Sequence, residues 1–380
     1  MGASNDVIII GGGIIGLSIA DRLAREGVGV TLLERGACGR EASWASAGIL
    51  KPSNPNKRGP MQQLQRVSLE MFPDFCTDLQ NRTGIDPEYA RCGWMELLMD
   101  DQRYRMALSE QRAGAEQGLL MPDGQPEWQV LTPEEAAQIE PAVSGDCLGV
   151  LLSRFSAQVR NSRLLRALIA ACKAGGVQMR ENTPVTSLQI DGNRVTGVVT
   201  GDKPVMGDRV VLCAGAWSSE IDARVRPLLP TYPVRGQIVL LDASDVAAAR
   251  FTHVVERKGC YLVRRSDGLV LVGSTVEHES GFDRRTTPAG VHQLMEDTLT
   301  LIPGLADASV AAFWAGLRPG TPDRRPYIGP VPGFEGLIAA TGHYRTGVAL
   351  APITAEVVAD FVLRGTCQRD LSRCRPGRST

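Results

Sequence analysis

Length, composition and charge exclude several classes of protein. The chain has 380 residues, more than the ~100 to 200 of a usual single domain, with 43% apolar and 22% charged residues. These values exclude a disordered or collagen-like chain and favour a soluble protein of two folded domains. The 41 basic residues nearly balance the 42 acidic ones, and the formal net charge of −1 argues against nucleic acid as a main partner.

Cysteine usage and the N-terminal apolar run bear on compartment and metal binding. The nine cysteines are scattered, odd in number and never spaced as C-x-x-C, so neither a disulfide framework nor a metal site is predicted. Residues 7–20 are apolar but contain four glycines and lack a basic flank. The run is also shorter than the ~20 apolar residues of a membrane span. We therefore expect a cytoplasmic protein with reduced thiols, no signal peptide and no membrane span.

The N-terminal segment carries the most informative local pattern. Residues 6–10 predict a buried strand, residues 17–26 a helix and residues 28–34 a second strand. Between the first strand and the helix, Gly11-Gly12-Gly13-Ile14-Ile15-Gly16 fits the motif G-x-G-x-x-G. The order strand, motif, helix and strand predicts a dinucleotide-binding β-α-β unit rather than a merely structural glycine turn.

Four residues of this unit have separate expected roles. Gly11 allows the tight turn after the strand, and Gly13 allows a pyrophosphate to approach the backbone at the helix N-terminus. Gly16 allows the helix to pack closely on the strand. Glu34 ends the second strand, where an acidic side chain would bind a ribose hydroxyl.

The middle of the chain predicts helices and strands in alternation. Thr132-Pro133-Glu134-Glu135 is a capping box that starts a short helix, and its role is expected to be architectural. Asn161 is expected to cap a helix that ends at Gly175-Gly176. The predicted strands that follow are residues 177–180, 193–199 and 209–213. The last of these runs into small residues, which would let a planar ligand approach closely.

The second half of the chain predicts an antiparallel sheet. Its expected strands are residues 237–241, 260–264 and 269–275, of which the last two form a hairpin. Thr287-Pro288 starts a helix that reaches residue 302, and residues 313–320 form a strand that runs into a loop. The remaining predicted segments are a strand at 337–340, a loop at 341–347, a helix at 353–363 and a flexible tail at 366–380.

Five motifs occur in a fixed order along the chain. They are the dinucleotide unit ending in Leu33-Glu34-Arg35, the segment Ser43-Trp44-Ala45-Ser46-Ala47-Gly48, residues 210–217, residues 314–320 with Pro326-Tyr327-Ile328-Gly329, and Gly342-His343-Tyr344-Arg345-Thr346-Gly347. Together they resemble the flavin amine oxidases of the D-amino acid oxidase and sarcosine oxidase superfamily, and most closely the bacterial glycine oxidases of thiamine biosynthesis. The resemblance covers residues 6–363.

The resemblance implies a fold and a domain arrangement. The fold is α/β (α+β), with a Rossmann-like FAD-binding domain of the glutathione-reductase type and a substrate domain built on an antiparallel sheet. The FAD-binding domain would be discontinuous, over residues 1–85, 145–225 and 325–365. The substrate domain would take residues 86–144 and 226–324.

The resemblance also implies non-covalent FAD as the cofactor. Only one dinucleotide fingerprint is present, which disfavours a second, nicotinamide site. Covalent attachment in the related sarcosine oxidases uses a cysteine in the loop after the arginine motif, where this chain has Thr321-Pro322-Asp323. The residues implied to bind the cofactor are Gly11, Gly13, Ile15, Gly16, Glu34, Arg35, Ser43, Ala47, Gly48, Val185, Ala214, Gly215, Trp217, Gly342, His343, Arg345, Gly347 and Val348.

On the substrate side, Arg318 stands next to the apolar run 311–317. A buried guanidinium needs a carboxylate partner, which either the protein or a substrate could supply. The resemblance makes Arg318 the anchor of the substrate carboxylate, and the alternative is a structural ion pair with a residue such as Asp323. It places the Tyr261 hydroxyl at the same carboxylate, unless Tyr261 is a core tyrosine. It places Arg345 near flavin and substrate, although Arg345 could instead hold its loop.

The implied activity is that of an oxidase. A hydride passes from the α-carbon of the neutral amine to the flavin, the imine hydrolyses to the 2-oxo acid, and dioxygen becomes hydrogen peroxide. This chemistry needs no strong base. The four histidines, His253, His278, His292 and His343, accordingly form no nucleophile or metal pattern.

Three departures from the glycine oxidase pattern bear on the substrate. Gly259, Val276 and Thr346 stand where relatives often carry histidine, methionine and asparagine. The first two changes remove bulk, so N-substituted glycines such as sarcosine and N-ethylglycine are candidate substrates beside glycine. An oxidase or dehydrogenase of D-amino acids or N-carboxymethyl amines is the alternative within the superfamily.

Other classes remain open but have less support. A quinone-linked D-amino acid dehydrogenase predicts a membrane-binding stretch, which we do not find, and a tRNA-modifying flavoprotein predicts a basic excess. A non-catalytic flavin sensor has no reason to keep both Tyr261 and Arg318. An NAD dehydrogenase is also possible, and the colour of the purified protein distinguishes it. The family resemblance further implies a homo-oligomer.

Overall fold

The structure is a computed structural model that describes residues 6–201 and 203–379. Its strands are, in chain order, β1 (Val7–Ile10), β2 (Val30–Leu33), β3 (Ile49–Leu50), β4 (Trp94–Leu98), β5 (Trp128–Leu131), β6 (Gly149–Ser153), β7 (Ala157–Gln158), β8 (Gln178–Arg180), β9 (Val185–Asp191), β10 (Arg194–Thr200), β11 (Lys203–Met206), β12 (Arg209–Leu212), β13 (Tyr232–Asp242), β14 (Val254–Arg257), β15 (Cys260–Arg264), β16 (Leu269–Gly273), β17 (Ser309–Gly320), β18 (Tyr327–Pro330) and β19 (Leu337–Thr341). Its α-helices are α1 (Ile14–Ala24), α2 (Ala42–Ala45), α3 (Pro60–Thr83), α4 (Asp101–Glu116), α5 (Pro133–Ile139), α6 (Asn161–Ala174), α7 (Pro288–Leu301) and α8 (Ala351–Arg364).

A six-stranded sheet forms the first half of the architecture. Its order is β18-β19-β12-β1-β2-β8, and all pairs are parallel except β18 with β19. All four residues of β1 are buried because both faces of the sheet are covered: Val7 and Ile9 pack with the helices, whereas Ile8 and Ile10 pack with residues of β9 and β10. This explains why β1 is continuously apolar rather than alternating. Helix α1 packs against α6 and α8. The predicted β-α-β unit is therefore confirmed.

An eight-stranded sheet forms the second half. Its order is β17-β13-β16-β15-β14-β4-β6-β5, and its pairs are antiparallel except β14 with β4. Along β13, Val239 and Leu241 pack in one cluster with Leu294 of α7, whereas Ile238 packs in a different cluster with Tyr261 and Trp314. Because side chains alternate along a strand, α7 covers one face of the sheet and the other face is left for a cavity.

One predicted domain boundary is wrong. Residues 145–225 were expected in the FAD-binding domain, but β6 lies between β4 and β5 in the eight-stranded sheet. Only after β6 does the chain return to the other half, through β7 and α6. The remaining strands form a two-stranded pair, β3 with β7, and a three-stranded antiparallel sheet, β11-β10-β9.

The expectation of a flexible C-terminal tail is also wrong. Residues 366–379 pack against the body of the protein, where Leu371 and Cys374 are buried. The guanidinium of Arg378 donates hydrogen bonds of 2.7 and 2.9 Å to the two carboxylate oxygens of Asp323. The polar composition suggested fraying, but this bidentate ion pair and the two buried side chains hold the segment.

Asn161 does not cap its helix as predicted. It is the first residue of α6, and its side-chain amide donates to the carbonyl oxygens of Ser43 and Trp44 at 2.7 and 2.8 Å. Asn161 therefore links α6 to the segment that contains α2. Helices α3 and α4 and strands β4, β5 and β6 lie in stretches to which no element was assigned from the sequence.

The cysteines agree with the expectation of reduced thiols. All nine are free, and seven of them are buried. Within the described residues, no group of three or more histidine, cysteine, aspartate or glutamate side chains is placed to hold a metal ion. No helix in the described part of the chain has the length and apolar character needed to cross a membrane.

Candidate active site

One cavity of about 690 Å³ extends between the two large sheets. It is lined at one end by residues at the carboxyl ends of β1, β2, β12 and β19, where ligands bind in parallel α/β sheets. At the other end it is lined by the face of the eight-stranded sheet that α7 leaves uncovered. Every predicted site residue except Gly16 lines this cavity, including Ile15 and Val348.

The glycines of the first loop are required by close backbone approaches. Gly11 has φ of 108°, and a Cβ there would lie 2.5 Å from the carbonyl oxygen of Cys213. A Cβ on Gly16 would overlap the carbonyl oxygen of Gly11. Gly16 thus packs α1 against the loop, as predicted, rather than facing the cavity.

The N-terminus of α1 opens into the cavity. Its N-cap residue, Gly13, has no side chain to cap the first turn, and the hydroxyl of Ser43 accepts a hydrogen bond of 2.9 Å from the backbone N–H of Ile14. Unpaired N–H groups and the helix dipole make such an end a site for a pyrophosphate. Ser43, one of the residues implied to bind the cofactor, lies beside that end.

Glu34 forms the floor of the nucleotide end. Its buried carboxylate accepts hydrogen bonds from the backbone N–H groups of Gly12 at 2.8 Å and Gly36 at 2.9 Å. A carboxylate has about four lone-pair sites, so Glu34 can still accept from a ribose hydroxyl. The N–H of Thr183 donates to the Glu34 carbonyl at 2.8 Å, which brings the start of β9 at Val185 to the same end.

Arg35 and Trp217 cover the outer edge of this end. The Arg35 guanidinium lies 3.4 Å from the centre of the Trp217 ring, which stacks on Phe282 with ring centres 5.2 Å apart. Glu41 accepts from Arg35 at 2.7 Å and from Arg284 at 2.8 Å. Aromatic and guanidinium groups arranged in this way suit a flat, polar ligand such as a nucleotide.

The segment after α2 passes between the two halves of the cavity. Buried Arg265 donates a hydrogen bond of 2.7 Å to the carbonyl of Ala47, and Val159 donates one of 2.8 Å to the carbonyl of Gly48. Gly48 has φ of 69°, which a residue with a side chain rarely adopts. Both predicted residues therefore have a fixed backbone at the cavity wall.

Small residues at the end of β12 complete this wall. Ala214 and Gly215 follow the strand, and Gly215 begins a short 3₁₀ helix with φ of 57°. The hydroxyl of Thr341, at the end of β19, donates to the Gly215 carbonyl at 3.1 Å. This contact joins two of the sheet ends that line the cavity.

The loop of residues 342–347 closes the cavity at its centre. A Cβ on Gly342 would lie 2.5 Å from a methyl carbon of Thr321, and the Tyr344 N–H donates to the Pro319 carbonyl at 3.0 Å. The loop is therefore tied to the end of β17. Arg345 is exposed, and its guanidinium lies 5.6 Å from the centre of the Tyr344 ring.

His343 and Gly347 complete the loop. Complete burial lowers the pKa of His343 to about 3, and its Nε2 lies 3.2 Å from the Thr354 hydroxyl. The imidazole is therefore neutral at physiological pH and has a structural partner. It is not available as a base. The Thr346 hydroxyl donates to the His343 carbonyl at 2.8 Å and fixes the turn before Gly347.

Arg318 has no carboxylate partner in the described part of the chain. It donates to the carbonyls of Arg235 and Thr275 at 3.2 Å each and to the Ser274 hydroxyl at 2.5 Å. Burial lowers the pKa of Arg318, but an arginine remains charged at physiological pH. Because Asp323 pairs with Arg378, the alternative of an Arg318–Asp323 ion pair is wrong.

Two glycines on neighbouring strands leave room for the side chains of the substrate-side residues. A Cβ on Gly236 of β13 would overlap three atoms of the Arg318 guanidinium, and a Cβ on Gly273 of β16 would lie 2.7 Å from the Tyr261 hydroxyl oxygen. Both side chains thus lie flat over positions that only glycine leaves free. Tyr261 is also close enough to Arg318 to oppose the lowering of its pKa. The structure brings the two predicted residues together.

Lys51 and Glu256 were not predicted, yet both line the cavity. Lys51 Nζ lies 3.5 Å from a carboxylate oxygen of Glu256 and 3.9 Å from the centre of the Trp94 ring. Burial raises the pKa of Glu256, and the charge of Lys51 opposes that change. A glutamate directly after Val254 and Val255 was the available signal, but its position depends on strand pairing.

Two of the three departures from the family pattern also line the cavity. Gly259 and Thr346 both do so, and nothing lies within 4 Å of the Cβ position of Gly259. The prediction that Val276 enlarges the pocket is wrong, because Val276 is 40% exposed and does not line the cavity.

The geometry fits an extended dinucleotide. The glycine turn, the open N-terminus of α1, Glu34 and the Arg35–Trp217 cover follow one another at the nucleotide end, and the cavity continues from there to Arg318. The family model of FAD dependent oxidoreductases, DAO, matches residues 6–361. The chain belongs to this family. Its cofactor is FAD, and it is an FAD-dependent oxidoreductase, as predicted.

Similar proteins support the same placement. The chain is 40% identical to a glycine oxidase of Pseudomonas aeruginosa over 364 residues, which cover 94% of this chain and 95% of that enzyme. A crystal structure of glycine oxidase from Geobacillus kaustophilus superposes with a TM-score of 0.90 at 32% identity and covers 99% of both chains. A structure of iminodiacetate oxidase from Chelativorans sp. gives 0.86 at 28% identity and covers 97% of this chain and 98% of that one. The α/β fold is thereby confirmed, while the roles of individual site residues stay predictions.

Proposed function

We propose that this chain oxidises glycine and small N-substituted glycines and passes the electrons to dioxygen. The observation that carries the proposal is Arg318, a cation that faces the cavity without a carboxylate partner among the described residues. A bidentate guanidinium suits the carboxylate of an amino acid. Proteins similar to this chain include enzymes named glycine oxidase and iminodiacetate oxidase.

The residues of the chain orient the substrate. Arg318 would bind the carboxylate, and the Tyr261 hydroxyl would donate to the same group from the neighbouring strand. Gly236 and Gly273 keep the two side chains against the sheet, so the reacting carbon is held toward the centre of the cavity. Positioning of this kind supplies much of the rate enhancement when little acid–base chemistry is needed.

When bound, FAD supplies the two-electron acceptor that takes a hydride from the α-carbon and later reduces dioxygen to hydrogen peroxide. Hydrolysis of the resulting imine completes the balance, in which glycine, dioxygen and water yield glyoxylate, ammonia and hydrogen peroxide. The chain needs no strong base for the hydride transfer because the amine reacts in its neutral form. The neutral, hydrogen-bonded His343 is consistent with this requirement.

Space beside Tyr261 supports N-substituted substrates. Gly259 lies two residues before Tyr261 at the cavity wall, and its Cβ position is open. A substituent on the substrate nitrogen could occupy this space without displacing a side chain. We therefore include sarcosine and N-ethylglycine among the substrates.

The test is anaerobic mixing of the purified yellow protein with glycine, sarcosine, N-ethylglycine and D-alanine, followed by admission of air. Bleaching of the flavin absorbance by the glycines, with peroxide formed on readmission of air, is the expected result. Faster bleaching by D-alanine would replace the proposal with a D-amino acid oxidase. Bleaching without peroxide would replace dioxygen with another electron acceptor, and no bleaching by any amine would refute the proposal.

We further propose that the protein is a cytoplasmic homo-oligomer. Nine unpaired cysteines are typical of a reducing compartment. Strand β17 is the edge of the eight-stranded sheet, and its Val310 and Phe313 side chains are 54% and 57% exposed, which favours association. Light scattering after gel filtration and cell fractionation test the two statements separately.

A further inference from the structure

The cavity continues beyond Tyr261 to a pair of charged residues that the proposed mechanism does not use. Glu256 is directly opposite Tyr261 in the antiparallel pairing of β14 and β15, so both side chains lie on the cavity face of the sheet. Lys51 approaches Glu256 from the segment after β3. This end of the cavity therefore has its own polar wall, which lies one strand farther from Arg318 than Tyr261 does.

The charges around this wall do not balance. Lys51 and Arg103 are the cations of a connected cluster that contains three carboxylates, those of Glu96, Glu110 and Glu256. Arg103 satisfies Glu96 with hydrogen bonds of 2.5 and 2.7 Å and Glu110 with hydrogen bonds of 2.9 and 3.3 Å. The third carboxylate, Glu256, has the longer contact to Lys51 as its one ion pair among residues 6–201 and 203–379.

Glu256 is thus the least neutralised member of the cluster, and of these three carboxylates it is the one that lines the cavity. Its side chain is 20% exposed, and Lys51 at 3.5 Å also interacts with Glu96 at 3.9 Å. Arg345 lines the same cavity but is exposed, so water screens its charge. A second cation from a ligand would complete the pairing, because a partly buried carboxylate without a close partner is unfavourable.

We propose that Glu256 forms a subsite for a cationic group carried on the nitrogen substituent of the substrate, so that N-(aminoalkyl)glycines are the preferred class. The inference rests on the proposed function, since it assumes that Arg318 holds the α-carboxylate. Lys51 weakens the binding of a ligand cation at the subsite, because its own ammonium group competes for Glu256. A neutral or anionic substituent gains nothing from the carboxylate.

The spacing agrees with a substrate longer than glycine. Gly236, over which the Arg318 guanidinium lies, and Glu256 are separated by three strand positions and by two residues along the strands. At ~4.8 Å per strand and ~3.4 Å per residue, the two Cα atoms are on the order of 16 Å apart. Glycine bound at Arg318 leaves much of this distance unfilled, whereas two methylenes and an ammonium group extend the substrate toward Glu256.

The experiment compares two ligands of equal size, N-(2-aminoethyl)glycine and N-propylglycine, which differ in a terminal ammonium or methyl group. The first quantity measured is the ratio of their kcat/KM values. The second is the ratio of their Kd values, obtained by anaerobic calorimetric titration of the oxidised holoenzyme at low temperature. The wild type should favour the aminoethyl ligand about tenfold or more. Glu256→Gln should lower that preference by about tenfold, and Lys51→Met should raise it.

A matched control separates the local effect from a change in net charge. Glu116 is exposed at the end of α4 and does not line the cavity, so Glu116→Gln removes one carboxylate without touching the subsite. Its ligand preference should equal that of the wild type. Thermal unfolding of each variant with FAD bound checks that the fold is retained, and Glu256→Asp should keep part of the preference.

Several results would overturn the subsite. An unchanged preference in Glu256→Gln would do so, as would an equal fall in kcat/KM for both ligands, which would assign Glu256 to the reacting amine. A stronger preference for N-carboxymethylglycine than for the aminoethyl ligand would assign the wall to Lys51 and Arg345. In each case oxidation of glycine and N-propylglycine would leave the proposed function standing. If no amine is oxidised, the proposed function fails while the Kd ratio still decides the subsite.

Discussion

Because the Arg318 guanidinium lies directly over Gly236, we predict that one methyl group added at Gly236 disables substrate binding. In Gly236→Ala the new Cβ would overlap Cζ, Nη1 and Nη2 of Arg318. The clash is with the far end of a flexible side chain and not with backbone, so the sheet is expected to keep its register while the guanidinium moves. The variant should therefore fold and bind FAD but bind the substrate carboxylate poorly.

The size of the effect follows from the displacement. Ordinary contacts of a Cβ begin at 3.4 Å, so the guanidinium has to move by about 1 Å or more. Loss of a charge-assisted hydrogen bond costs about 1.5 to 3 kcal/mol, which corresponds to about 10- to 160-fold in kcat/KM. Because Arg318, in the proposed role, would hold the carboxylate in both the ground and the transition state, most of the loss should appear as a higher KM.

The assay is steady-state oxidation of glycine with detection of peroxide, beside flavin content and thermal unfolding of each variant. Gly145→Ala is the matched control, since Gly145 is exposed and nothing lies within 4 Å of its Cβ position. Gly273→Ala provides a second test, because its Cβ would lie 2.7 to 2.9 Å from three atoms at the end of Tyr261. It should raise KM less than Gly236→Ala, since a neutral hydroxyl contributes less than a guanidinium.

One result would refute this reasoning. If Gly236→Ala is as stable as Gly145→Ala, retains FAD and oxidises glycine with unchanged kcat/KM, then Arg318 does not act from its seat on β13. A variant that loses FAD or unfolds would instead show that the sheet, and not the guanidinium, absorbs the added methyl group. The flavin content and the unfolding temperature distinguish that case.

Three further predictions concern the anchor, the cofactor and the C-terminal segment. Arg318→Ala should lower kcat/KM for glycine by at least tenfold while FAD stays bound, because a buried charge-assisted contact is worth ~2 to 5 kcal/mol; unchanged kinetics would contradict the anchor. Acid precipitation should release all of the flavin into the supernatant, since burial raises the pKa of Cys213 at the cavity wall and keeps its thiol protonated and unreactive; a yellow pellet would show covalent attachment. Asp323→Asn should destabilise the protein by about 1.5 to 3 kcal/mol at pH 7 through loss of the Arg378 ion pair. Burial alone would raise the pKa of Asp323, but the hydrogen bonds from Arg378 hold it below 3.8. The stability advantage of the wild type should therefore be present above pH 4 and disappear as the pH falls through the lowered pKa. Unfolding temperatures of both proteins across this pH range would show the change.

Local signals in the sequence predicted local structure well. The capping box at Thr132 is present with both of its hydrogen bonds, and the Thr287 hydroxyl caps α7 as expected. The hairpin of β15 and β16 also forms as predicted. In each case the determining residues lie within a few positions of one another, so the pattern contains the whole explanation.

Structure that depends on distant pairing was missed. Strand β6 was assigned to the wrong domain because its partners, β4 and β5, lie earlier in the chain and nothing within residues 149–153 specifies them. The C-terminal segment was expected to be flexible because its composition is polar. Its anchor is the bidentate contact between Arg378 and Asp323, which are 55 positions apart.

The candidate site shows the same division. Arg318 and Tyr261 were predicted through motifs, but the features that orient them were not. Nothing in the sequence around Ser274 marks it as a partner of Arg318. Gly236 and Gly273 resemble ordinary glycines near the ends of predicted strands. Their function depends on which residue of a neighbouring strand lies beside them, and this depends on the register of the whole sheet.

The register also explains why the substrate cavity is hard to find from polarity. Along β13, Val239 and Leu241 face α7, while Gly236 and Ile238 face the cavity, so residues 238–241 are apolar on both sides. A cavity wall formed this way is marked by missing side chains and not by polar ones. Glu256, like Arg318, places a charge on this face of the sheet. Glu96 shows how the fold satisfies a structural carboxylate, since it accepts two hydrogen bonds from Arg103. Glu256 has no such arginine partner among the described residues. For this reason we assign the Glu256 carboxylate to a cationic group of a ligand.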